Sequence, residues 1–116
     1  MSTEIGDTFV MSSGTEGGTP LLLLHGSTTN AAMWLCDAAL LGQKRRIYAP
    51  DIVGEPGKSA DVRPSFTGGV YAKWLSQVMD GLGIQKAAVA GNSMGGWLAL
   101  ELATHLPERV SALILL

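Results

Sequence analysis

The sequence predicts an α/β protein, a mostly parallel sheet with helices on both faces, and three observations carry that prediction. Four short apolar runs recur along 116 residues, each bounded by turn residues. Each run except the last is followed by a helix-like segment, and none alternates polar with apolar positions. Strand and helix in rotation describe βαβ units, and unbroken apolar runs describe strands buried on both faces. A chain of this length holds one sizeable core and not two, so residues 1–116 are expected to form one domain or part of one.

In chain order, residues 9–12 read as a first strand, followed by a turn through Gly14, Gly17 and Gly18. Because it precedes the parallel units, this strand suits an antiparallel hairpin partner. The apolar runs themselves cover 21–25, 46–50, 86–90 and 110–116, and the helical segments between them cover 31–42, 67–82 and 94–105. In the second helix Val70, Trp74, Val78 and Leu82 recur every four residues, with Tyr71, Leu75 and Met79 beside them, giving one apolar stripe. Thr67 suits an N-cap for that helix, Gly83 follows its end, and Pro107 closes the third helix. Lys44, Arg45 and Arg46 fall where the first helix should end and read as cations at a helix C-terminus. The stretch 54–69 is loop-like, with Pro56, Pro64 and glycines at 54, 57, 68 and 69.

Composition excludes several partners. A net charge of −2 with no basic stripe argues against nucleic acid. The longest apolar runs, 21–24 and 112–116, fall far short of the roughly 20 residues that cross a bilayer as a helix. The opening residues lack a basic start followed by an apolar stretch, so no signal peptide is visible. Cys36, the only cysteine, rules out an internal disulfide and reads as a small buried residue of an apolar helix. A cytoplasmic location is the expectation. No cofactor or metal is expected either. The one competing motif, residues 54–59 ending Gly57-Lys58-Ser59, would need glycine at Ile52 and a helix after the lysine to bind phosphate, and loop residues follow instead. Lys58 is expected to be solvated.

The strongest chemical signal is Gly91-Asn92-Ser93-Met94-Gly95-Gly96, a G-x-S-x-G pattern between a predicted strand and a predicted helix. A nucleophile must stand clear of the sheet, which requires a tight strand-to-helix turn with glycines where the two elements approach. Ser93 would also sit at a helix N-terminus, where free N–H groups and the helix dipole favour developing negative charge.

Four motifs together resemble the α/β-hydrolase family, over a likeness running from about Phe9 to the last residue. They are Leu24-His25-Gly26 at the end of a strand, Asp51-Ile52-Val53-Gly54 followed by Gly57-Lys58-Ser59, the serine motif, and Pro107-Glu108-Arg109-Val110 before the last strand. The resemblance implies Ser93 as catalytic nucleophile, with the backbone N–H groups of Met94 and Ser27 forming an oxyanion hole. It makes His25 a structural histidine that shapes the oxyanion loop. It also implies a catalytic acid and histidine later than Ser93, where only Glu101, His105 and Glu108 remain. His105 lies twelve residues along the helix that Ser93 opens, about 18 Å away at 1.5 Å per residue. It cannot serve Ser93. The chain therefore reads as the N-terminal part of one domain, with a cap, later strands, acid and histidine outside it. Its last apolar strand is expected to leave a bare edge prone to self-association.

On substrate, Ser93 argues against relatives that use aspartate as nucleophile. The loop 51–59 and the helix start Asn30-Ala31-Ala32-Met33-Trp34 resemble bacterial carboxylesterases, so a small carboxylic ester attacked through an acyl-serine intermediate is the expectation. Gly91-Asn92-Ser93-Met94-Gly95-Gly96 also occurs in carbon–carbon bond hydrolases of aromatic degradation, but Ser27-Thr28-Thr29-Asn30 departs from their Gly-rich stretch. A non-catalytic ligand-binding member of the fold is the third reading.

Overall fold

A computed structural model describes residues 1–116. Its five strands are β1 (Val10–Gly14), β2 (Leu21–Leu24), β3 (Arg46–Pro50), β4 (Ala87–Gly91) and β5 (Val110–Leu115), in the sheet order β1-β3-β2-β4-β5. β2 runs parallel to β3 and β4, and β4 parallel to β5, while β1 is antiparallel to β3. Helices α1 (Leu35–Leu41), α2 (Val70–Gly81) and α3 (Met94–His105) fill the connections. The mostly parallel α/β architecture is the predicted one.

β2 shows why the apolar runs do not alternate. Successive side chains of a strand point to opposite faces, and both faces here are covered. Leu22 and Leu24 pack with Trp74, Leu75, Leu98 and Leu102 of α2 and α3. Leu21 and Leu23 pack with Trp34 and Ala38 at the other face. Burying a leucine side chain contributes roughly 1.5–3 kcal/mol, so no position of β2 tolerates a polar residue.

Five expectations change in the structure. The first strand is antiparallel as expected but pairs with β3, Val10 opposite Pro50 and Gly14 opposite Arg46, and not with the strand that follows it. Both edges of β2 are taken by parallel neighbours, leaving the outer edge of β3 open. The first helix divides into a 3₁₀ turn, Ala31–Trp34, capped by the Asn30 side chain accepting the Ala32 N–H, and the short α1. Its buried stripe is Ala31, Trp34 and Ala38. Cys36, two residues from Trp34 and Ala38, faces away from the sheet and is exposed. The basic cluster lies beyond the helix, because α1 stops at Leu41 with Gly42 as its cap. Arg46 instead opens β3 and donates to the Gly14 carbonyl at 3.1 Å. Thr67 does not cap α2. Its hydroxyl pairs with Ser65, and Gly68 and Gly69 at positive φ delay the helix to Val70.

Topology places the site. β3 and β4 flank β2 on opposite sides, and the helices that follow β2 and β4 cover opposite faces. The carboxyl ends of β2 and β4 therefore diverge into a crevice, the position where open α/β sheets bind ligands. At the far side β5 pairs only with β4, and Leu113, Ile114, Leu115 and Leu116 are exposed. No helix is long and apolar enough to cross a membrane.

Candidate active site

Only Asn92 and Ser93 separate β4 from α3. So short a turn forces Ser93 to φ 54° and ψ −115°, a conformation that costs a non-glycine residue about 1–3 kcal/mol and persists only when its surroundings over-determine it. The surroundings do so by close backbone packing. Gly95 lies against the carbonyls of Leu24 and His25, and any side chain there would run into them. The Asn92 N–H donates to the Leu24 carbonyl at 3.1 Å, and the Gly95 N–H to the Asn92 carbonyl at 2.9 Å. Ser93 is exposed, and no protein group engages its hydroxyl.

The end of β2 runs beside this turn, in register with it from Leu21 opposite Ala88 to Leu24 opposite Gly91. A Cβ on Gly26 would stand 3.6 Å from the Ser93 Cβ, so the loop 25–28 borders the serine. The Ser27 N–H meets no protein acceptor. Met94 is the first residue of α3, where an N–H has no intrahelical acceptor. The three residues singled out from the sequence, Ser93, Ser27 and Met94, thus lie on two adjoining turns at one end of the sheet.

Neither histidine is available to the serine. His25 is fully buried, and both ring nitrogens are committed: Nε2 accepts the Ile52 N–H at 2.8 Å, which leaves Nδ1–H to donate to the Gly26 carbonyl at 2.7 Å. Burial pushes its pKa below the ordinary histidine value, against the opposing pull of the Gly26 carbonyl and the charges of Asp51 and Glu55. It is a neutral structural group. His105, at the other end of α3, is exposed and holds Glu101 at 2.9 Å.

The loop after β3 ties these pieces together. Buried Asp51 accepts the Ala31 N–H at 2.8 Å and the Lys58 N–H at 2.9 Å, and its carbonyl accepts the Ser59 hydroxyl at 2.6 Å. Gly57, at φ 158°, presses on the Asp51 carboxylate where any Cβ would collide, which is the physical content of the Asp-x-x-Gly-x-x-Gly spacing. Lys58 is exposed, its ammonium 5.1 Å from the Phe9 ring centroid. Phe66 stacks on Tyr71, and Trp97 meets both rings edge-on, with centroids 5.3–5.6 Å apart. Phe66, Met94, Trp97 and Glu101 border an open cleft of about 370 Å³ along the first turns of α3. Sequence reasoning missed Glu55 and Arg63. Glu55 is a buried carboxylate that accepts the Thr28 N–H at 2.7 Å, with Arg63 Nη2 3.0 Å from its other oxygen. The one available signal was an acidic residue among glycines and prolines.

A strained serine between a parallel strand and a helix, on the carboxyl edge of such a sheet, is the arrangement of a hydrolase elbow. A family model for the alpha/beta hydrolase fold matches residues 19–116, and the chain belongs to that family. It is 40% identical over all of its 116 residues to an uncharacterized carboxylesterase of Bacillus subtilis, nap, and covers 39% of that protein. It is 36% identical over 102 residues to the 2-hydroxymuconate semialdehyde hydrolase of a Pseudomonas strain, covering 85% of this chain and 36% of that protein. Among solved structures, the naproxen esterase (carboxylesterase NP) of Bacillus subtilis superposes with a TM-score of 0.84 at 40% identity, over 95% of this chain and 39% of the esterase. The chain spans about 39% of the length of these carboxylesterases.

Proposed function

We propose that the protein is a serine hydrolase of carboxylic esters that works through an acyl-Ser93 intermediate. The observation that carries this is the Ser93 turn itself: a serine at positive φ, exposed, with an unengaged hydroxyl and two unpaired N–H groups on the adjoining turns. Attack by the hydroxyl on an ester carbonyl moves a full negative charge onto the carbonyl oxygen. The N–H groups of Ser27 and Met94 would receive that charge, each such donor typically lowering the barrier by about 3 kcal/mol. Likeness to carboxylesterases over the whole chain supports an ester as substrate. A base and its orienting acid are still required. With His25 and His105 both committed, they belong to residues outside these 116.

A fluorophosphonate probe tests the assignment: it should label the intact protein and leave Ser93→Ala unlabelled. Equal labelling of both would sink it. The 116-residue chain alone should turn over esters at least about a thousandfold more slowly than the intact protein, since the oxyanion donors act without a base. It should also self-associate along the apolar edge of β5, which its mass in solution would show. A soluble monomer with full turnover would mean that a base lies within these residues.

Likeness to 2-hydroxymuconate semialdehyde hydrolase keeps a second reading, carbon–carbon bond hydrolysis on the same serine. Turnover of that substrate by the intact protein, with simple esters left untouched, would favour it.

A further inference from the structure

Ser27 sits between two peptide planes, and each is gripped by a side chain, the first from the adjoining strand end and the second from a distant loop. The Gly26–Ser27 plane is held by its carbonyl, which accepts His25 Nδ1–H at 2.7 Å. Carbonyl and N–H of a trans peptide point in opposite directions, so this grip aims the Ser27 N–H. The Ser27–Thr28 plane is held at both ends. Its carbonyl accepts the Thr28 hydroxyl at 2.6 Å, and its N–H, that of Thr28, donates to Glu55 Oε1 at 2.7 Å.

The second grip works against local preference. Thr28 stands at φ 62°, the only residue besides Ser93 that is not glycine and has positive φ. For a β-branched side chain that conformation costs about 1–3 kcal/mol, so an outside force must hold it. Glu55 is the group in place to do so. Its side chain is 2% exposed, and a buried carboxylate persists only when paired. Arg63 supplies the pairing: Nη2 lies 3.0 Å from Oε2 and also donates to the Gly54 carbonyl at 3.0 Å. The contact to Oε2 is ionic without hydrogen-bond geometry. Charge matters here as much as position, because an unpaired anion beside an oxyanion site would oppose the negative charge that forms there.

We propose that Glu55 is a positioning residue for the oxyanion donor at Ser27, holding the Ser27–Thr28 peptide through the Thr28 N–H, and that Arg63 both anchors Glu55 and cancels its charge. The inference rests on the acyl-serine reading.

The test uses the intact protein, with kcat and KM for a p-nitrophenyl ester and affinity for a boronic acid, which forms a tetrahedral adduct on the serine. Rates are counted per active site by titration. Glu55→Ala should lower kcat about a hundredfold, with KM within about twofold and boronate affinity falling in parallel with kcat. Glu55→Gln keeps the acceptor for Thr28 and should stay within about twofold of wild type. Arg63→Ala leaves a bare anion and should lower kcat about fivefold, an exposed guanidinium being partly screened. The double variant Glu55→Gln with Arg63→Ala should recover that loss in kcat per active site, whereas a merely structural ion pair would change the fraction of folded protein and leave kcat per active site as in wild type in all of these variants. Wild-type kcat in folded Glu55→Ala, or no recovery in the double variant, overturns the proposal. If Glu55→Ala does not fold, Arg63→Ala and its recovery decide. Turnover unchanged in Ser93→Ala would instead overturn the acyl-serine reading, and this inference with it.

Discussion

The two turns that form the site stand side by side and are held by different means. The Ser93 turn is held by backbone alone: Gly95 against the carbonyls of Leu24 and His25, and the Asn92 N–H on Leu24. The Ser27 turn has no such contact surface and is held by side chains, by His25 from its own strand end and by Glu55 from a loop that begins 26 residues later. A strained residue sits in each, Ser93 and Thr28. The difference teaches that strain can be held either by excluding volume or by directed hydrogen bonds, and that the two fail differently. Excluded volume admits no substitution, whereas a hydrogen-bonded grip weakens by degrees and responds to pH.

Substitution of the glycines gives the sharpest contrast. Gly95→Ala should destabilise the intact protein by about 3 kcal/mol or prevent folding, because a methyl there meets backbone that cannot move aside. Gly26→Ala, on the other turn, should cost less than about 1 kcal/mol, since its nearest neighbour is the Asn92 side-chain amide, 3.3 Å away and free to shift. Urea denaturation of both variants checks this; equal losses would erase the distinction between the turns.

A second contrast is in pH. His25 has a folded-state pKa below the ordinary 6.5, chiefly through burial, so the unfolded chain binds a proton more readily than the folded one. The stabilisation from keeping His25 neutral is complete above about pH 6.5 and is lost as pH falls through the lowered folded value. The urea midpoint should therefore drop on acidification from about pH 7.5 to 5, and a His25→Gln variant should lose that component of the slope. A midpoint with the same pH dependence in both proteins would show that the histidine is not the group that titrates.

Thr67→Ala gives the smallest effect, within about 0.5 kcal/mol, because the Thr67 hydroxyl pairs with Ser65 and caps no helix. A loss near 1 kcal/mol, the usual contribution of an N-cap, would show in the thermal midpoint and would mean that the cap forms in solution after all.

Legibility in the sequence follows the same division. The Ser93 turn was readable because the glycines that permit it lie within a few residues of the serine, and strand, turn and helix each leave a local mark, although the Leu24 and His25 carbonyls that Gly95 packs against come from a distant strand end. The support of the Ser27 turn was not readable. Nothing near Thr28 marks its positive φ, and nothing near Glu55 says which N–H it will meet. Helix ends divide likewise: Met94–His105 was read to the residue, its strand-turn start and its proline stop both being local. The start of α2 was misplaced, because Thr67 competes between an N-cap and a partner at Ser65 and two glycines tip the balance.

By itself the sequence determined the alternation of apolar strands and helices, the burial of β2 on both faces, and a nucleophile turn whose glycines allow strand and helix to touch. These follow from periodicities and steric needs that act over a few residues. Only the tertiary structure decided that β1 pairs with β3, that Cys36 faces outward, and that a buried carboxylate reaches the loop bearing Ser27. Each of those depends on which edges, faces and donors remain free once the sheet has assembled, a competition among distant groups that no local pattern records.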